Sequence, residues 1–123
     1  MRVVIAESNL PDGRKLAAEI ESLVPSADVL LYADPDAAIA GIVDHRPDVV
    51  LAAPKVGALD GPDFLARVRD LDGVDAKLVG GVDRPDPDMS VRYVDAGAAL
   101  VVLRPVNALS LRAALRQRAG GIS

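Results

Sequence analysis

The run Pro47-Asp48-Val49-Val50-Leu51-Ala52-Ala53-Pro54 constrains this chain more than any other. It is short, it is apolar without alternation, and it meets a proline and a loop that ends in Leu59-Asp60-Gly61. An unbroken apolar run of this length suits a strand buried on both faces of a parallel sheet. Parallel strands need long crossovers, so helices must separate the strands and cover the sheet. In open sheets of this kind, ligands and chemistry gather where the strands end at their carboxyl edge. Here that edge offers Ala53, a methyl group.

The rest of the chain repeats the rhythm. Arg2-Val3-Val4-Ile5-Ala6 reads as a first strand, with Glu7 and Ser8 at its carboxyl end. A helix is expected from about Pro11, with Leu16, Ala17, Ile20, Leu23 and Val24 on one face, and Pro25 stops it. Residues 28–32 form a second strand. Asp34-Pro35 caps a second helix whose inward side chains are Ala38, Ile39, Ile42 and Val43. The organising strand follows over residues 48–53. Gly61-Pro62-Asp63 opens a third helix, with Phe64, Leu65, Val68 and Leu71 inward. Lys77-Leu78-Val79 is a short fourth strand, ended early by Gly80-Gly81, and a fourth helix covers about residues 88–95. Ala96-Gly97-Ala98 turns the chain into a fifth strand, residues 99–103, closed by Arg104-Pro105. A last helix is expected over residues 108–118, with Ala108, Leu111 and Leu115 inward, before the Gly120-Gly121 stop. The expectation is one α/β domain over residues 1–119, with 120–123 as a tail or the start of a linker. Five parallel strands would be doubly wound, and the 2-1-3-4-5 order is typical of this size.

Composition excludes several function classes. Half of the residues are hydrophobic, yet only Tyr32, Phe64 and Tyr93 are aromatic, so the core must be aliphatic. The net charge of -4 gives no basic footprint for nucleic acid. With no cysteine there is no disulfide, no thiolate metal site and no cysteine nucleophile, which fits a reducing cytoplasm. No apolar run approaches the ~18 residues of a membrane span, and neither an anchor nor a leader is expected. No glycine-rich phosphate loop or dinucleotide fingerprint follows the first strand.

In this order and at these separations, Glu7-Ser8, Pro47-Asp48, Asp60-Gly61, Ala96-Gly97-Ala98 and Arg104-Pro105 make the whole chain resemble the receiver domain of bacterial two-component response regulators. The resemblance implies a flavodoxin-like doubly wound fold. It also implies phosphoryl transfer to an aspartate at the end of the third strand, assisted by a divalent cation, a hydroxyl residue after the fourth strand and a lysine after the fifth. At each of these positions the chain departs from the family. The nucleophile's position falls on Ala53, which has no oxygen to phosphorylate. The metal-binding acid pair falls on Glu7 and Ser8, leaving one carboxylate where Mg²⁺ wants several oxygen ligands. The hydroxyl position falls on Gly81 or Val82, the lysine is Arg104, and the aromatic switch residue is Val101. Five departures together imply a degenerate receiver without phosphotransfer, without a metal or other cofactor, and without enzymatic turnover.

The degenerate pocket is therefore Glu7, Ser8, Ala53, Lys55, Val82 and Arg104. Glu7 is expected to pair with Arg104 across it, since either charge alone at a partly buried edge is costly. Lys55 stands two positions past Ala53, as a solvated loop residue or a cation over the pocket. His45 is expected at a helix end beside the negative dipole terminus. Asp83, Asp86 and Asp88 read as a solvated acidic loop. The fifth strand is wholly apolar, and Ala99, Leu100 and Val101 with Met89 and Tyr93 are expected to form an interface for a protein partner or a second copy. The function that follows is a phosphorylation-independent interaction or dimerisation module in bacterial signalling or transcriptional regulation. Two alternatives stay open: a phosphorelay receiver using a displaced acid, Asp60 or Glu7, and a domain that holds a small molecule in the vacated pocket.

Overall fold

The computed structural model describes residues 1–104. Seven strands and four helices follow in chain order: β1 (Arg2–Ala6), α1 (Leu10–Leu23), β2 (Asp28–Tyr32), α2 (Pro35–His45), β3 (Val49–Ala52), β4 (Lys55–Val56), β5 (Leu59–Asp60), α3 (Gly61–Arg69), β6 (Lys77–Val82), α4 (Pro87–Asp95) and β7 (Leu100–Leu103). Five strands make one parallel sheet in the order β2-β1-β3-β6-β7. Counting its members along the chain, this is the expected 2-1-3-4-5 arrangement. The helix expected over residues 108–118 and the proposed tail lie outside the described residues.

Successive side chains of each strand point to opposite faces, and both faces are buried. Val4, Ala6, Val50 and Ala52 face a core with Ile42, Phe64, Leu65 and Tyr93. Val3, Ile5, Val49 and Leu51 face a second core with Leu16, Ile20 and Val79. This explains why the strands show no polar alternation. The helix starts share one solution: Asn9, Asp34, Asp60 and Asp86 each accept a backbone N–H three residues on, and each helix has a proline in its first turn. The side-chain oxygen satisfies an orphan donor, and proline loses none there.

Four expectations need correction. β6 does not stop at Gly80-Gly81 but runs through both to Val82. The missing Cβ of Gly80 makes room for the ring of Tyr93, whose Cγ and Cε1 lie 2.5 Å from where that Cβ would be. For the same reason Tyr93 is no interface residue: it is fully buried against β6. Val43 points to solvent rather than into the core. The segment after Ala53 is not plain loop, because β4 and β5 form a small antiparallel hairpin turned by Gly57 at φ 62°.

Candidate functional site

Parallel register brings the five strand ends to one rim. The ladder continues a step beyond β3, where Ala53 N–H donates to the Ala6 carbonyl at 2.9 Å, and beyond β7, where Arg104 N–H donates to the Val82 carbonyl at 2.7 Å. Glu7 N–H likewise donates to the Tyr32 carbonyl at 3.0 Å. Glu7, Ala53 and Arg104 are thus set by backbone hydrogen bonds at the carboxyl edge of the sheet.

Arg104 bridges this rim. Its Nη1 donates to Glu7 Oε1 at 2.6 Å, while Nε and Nη2 donate to Asp83 Oδ1 at 3.0 and 2.9 Å. The Glu7 and Arg104 side chains keep only 5% and 16% of their exposure, so this pair is shielded from water, unlike most surface ion pairs. Burial works against the charged guanidinium, but hydrogen bonds to Glu7 and Asp83 outweigh it and raise its pKa further. The second oxygen of Glu7 accepts the Asn9 N–H at 3.3 Å.

The other sequence-derived residues divide. Ala53 is buried at the rim, as expected of its position. Ser8 is exposed, and its Oγ donates to the Lys55 carbonyl at 3.2 Å, tying the end of β1 to the hairpin. Lys55 itself is exposed on β4. Of the two hydroxyl-position candidates, Val82 has its side chain in the core, so it does not line the rim. Gly81 does: a Cβ there would lie 3.2 Å from Arg104 Cδ. His45 ends α2, where its carbonyl accepts from Arg2 Nη1 at 2.8 Å. Met89 and Val101 are partly buried against one core and Leu100 against the other, whereas Ala99 is exposed.

Three further residues take part, in roles other than those expected of them. Asp83 is the solvated loop residue expected, its side chain 67% exposed, and is also the second partner of Arg104. Tyr93 Oη donates to the Gly81 carbonyl at 2.7 Å and lies 3.3 Å from that of Ala53, beneath the rim. Burial pushes its phenol well above the usual value, so it is a neutral donor. Asp60 caps α3 through Oδ1 and accepts from Arg92 of α4 through Oδ2 at 2.7 Å. Burial opposes its charge, but the Asp63 N–H and Arg92 prevail and hold its carboxyl below the ordinary value. One signal pointed to Tyr93: two glycines inside an apolar strand mark a close approach.

The donor set does not fit the divalent cation that the receiver resemblance implies. Both oxygens of Glu7 are engaged, one by a cation, and the neighbouring positions supply a serine hydroxyl already donated and a methyl group. A hard dication needs several oxygen ligands, and the buried Glu7 carboxylate at this rim is already paired with the Arg104 guanidinium.

No protein-family profile matches this chain, and no curated protein sequence matches it. Solved structures do. The signal receiver domain of a modulated diguanylate cyclase from Desulfovibrio desulfuricans is 25% identical at a TM-score of 0.78, over 93% of this chain and 89% of that one. The receiver domain of a DNA-binding response regulator from Colwellia psychrerythraea is 20% identical at 0.82, over 95% and 99%. The chemotaxis protein CheY4 of Vibrio cholerae is 17% identical at 0.84, over 94% and 95%. With the sheet order and the rim already described, these likenesses establish that the chain has the response-regulator receiver fold, a flavodoxin-like α/β architecture.

Proposed function

We propose that this chain is a degenerate receiver that works without phosphorylation, as a protein-interaction and dimerisation module in bacterial signal transduction or transcriptional control. One observation carries the reading. At the rim where a receiver would accept phosphate, the residue that follows β3 is Ala53, and Arg104 is already neutralised by Glu7 and Asp83. The rim pairs its part-buried guanidinium without phosphate or metal, so a phosphoryl group would have to displace carboxylates already bound to Arg104.

A displaced acceptor acid finds little support. Asp60 uses both oxygens, one for the α3 cap and one for Arg92. Glu7 uses both as well. The similar receivers belong to a modulated diguanylate cyclase and a DNA-binding response regulator. By analogy, this domain would regulate an effector through protein contacts, while nucleic acid and membrane would not be its own partners. The chain's charge of -4 agrees.

The test is incubation with acetyl phosphate and Mg²⁺, followed by intact mass measurement. The expected result is an unchanged mass. A stoichiometric phosphoryl adduct would overturn the reading and favour a displaced acid, to be located by peptide mapping.

A further inference from the structure

Two consecutive residues of α4 tie it to the rim, and neither needs anything bound there. Tyr93 points inward. Its ring occupies the space left by Gly80, and its hydroxyl reaches the carbonyls of Ala53, the first residue past β3, and Gly81, the last but one of β6. Gly61 is shaped to the same phenol: a Cβ there would collide with Tyr93 Oη and stand 2.5 Å from the Ala53 carbonyl. Arg92 reaches sideways to α3, to Asp60 at 2.7 Å and Asp63 at 3.4 Å. One helix turn therefore holds both strand ends and the start of α3.

We propose that Arg92 and Tyr93 form a built-in clamp that fixes the β3–α3 and β6–α4 junctions, and with them α4, in one arrangement whatever occupies the rim. The clamp deepens the functional reading and rests on it in one respect: it explains how a receiver-fold module presents a constant α4 face without a phosphoryl signal. The physical requirements are met on the page. The phenol is a neutral donor, so its hydrogen bond persists across ordinary pH. A buried donor with two carbonyls in reach is costly to leave unmade. The surrounding glycines leave the ring no reason to move, because closely packed interiors favour discrete arrangements over gradual drift.

Amide hydrogen exchange on the full chain, in buffer free of phosphoryl donors, tests it. Tyr93→Phe keeps the ring and removes the hydroxyl. The expected result is exchange about tenfold faster at residues 81–83 and along α4, with less than about a twofold change in β1 and α1. Unchanged exchange in α4 overturns the clamp. So does equal acceleration in β1 and α1, because the hydroxyl would then be a global stabiliser only. Asp60→Asn is the second variant: asparagine still caps α3 but loses the ion pair, and the mutated side chain is near the surface. It should loosen α4 and spare α1; an α4 that exchanges as before overturns the Arg92 half. The mass measurement with acetyl phosphate is independent. A phosphoryl adduct with α4 still loosened by Tyr93→Phe would sink the functional reading and leave the clamp standing, and the reverse pattern would do the opposite.

Discussion

At the residue scale the decisive group is the Arg104 guanidinium. Its fork lets it serve Glu7 with one nitrogen and Asp83 with two others, a task that one ammonium cannot copy. Arg104→Ala would leave the Glu7 carboxylate buried without its cation, and should cost about 2–4 kcal/mol in urea unfolding at neutral pH. Glu7→Gln keeps the shape and leaves Arg104 with Asp83, so about 1–2 kcal/mol is expected. Arg104→Lys should fall between the wild type and Arg104→Ala. If Glu7→Gln leaves both the unfolding midpoint and partner binding unchanged, the bridge has no role in this fold. The Glu7–Arg104 pair was legible in the sequence because both residues follow apolar strands, and parallel register delivers strand ends to one edge. Asp83 was not, because loop conformation leaves no periodic trace. Only its place directly after β6 hinted that it shares the edge.

At the scale of elements, β6 and α4 are fitted to each other by a large residue set against a small one. The Gly80-Gly81 pair looked like a strand terminator when read alone, since glycine weakens strands. In the fold it is what lets Tyr93 lie against the sheet. Local pattern cannot register such a pairing, because the two halves are separated along the chain by the whole β6–α4 connection. Gly80→Ala should therefore cost about 1–3 kcal/mol by forcing the ring out of its place. In a Tyr93→Leu background the same change should cost much less, and a double-mutant cycle in urea measures the coupling. Additive costs would show that ring and glycine do not confront each other. Asp60, at the start of α3, gives a pH test. Its folded pKa is lowered, so its contribution to stability is present above the unfolded value of about 3.9 and is lost as pH falls through the lower folded value. Urea midpoints followed from about pH 6 to about pH 3 should fall less steeply for Asp60→Asn than for the wild-type chain. Identical slopes would mean that Arg92 and the Asp63 N–H do not hold that carboxylate.

For the whole molecule, topology was the most legible level, because continuous apolar strands separated by capped helices leave few arrangements besides a doubly wound sheet. An interface on α4 and β7 is a proposal, and the fold changes which side chains could carry it, because a nine-residue helix with apolar residues around most of its circumference does not say which of them faces in. Tyr93 is inside and Met89 is partly covered; beside the exposed Ala99, the large apolar side chains exposed there are Val91 at 60% and Val94 at 62%, three apart on one face of α4, with Leu103 at 51% on β7. β7 is the edge strand next to β6, and α4 leads directly into it, so these side chains belong to one end of the sheet. A stable dimer buries on the order of 1,200–2,000 Å², so in a dimer through this face three side chains would be the centre of the contact and not its full extent. Such apolar centres, ringed by polar groups, contribute most of the binding free energy. Light scattering over a concentration series should then show the mass rising from monomer towards dimer. Val94→Glu should hold it at monomer, because each symmetric contact would bury two like charges without partners. Val94 is exposed in the single chain, so that variant should unfold at the same urea concentration as the wild type. A mass that stays monomeric throughout for the wild-type chain would remove self-association from the function and leave this face to a different protein.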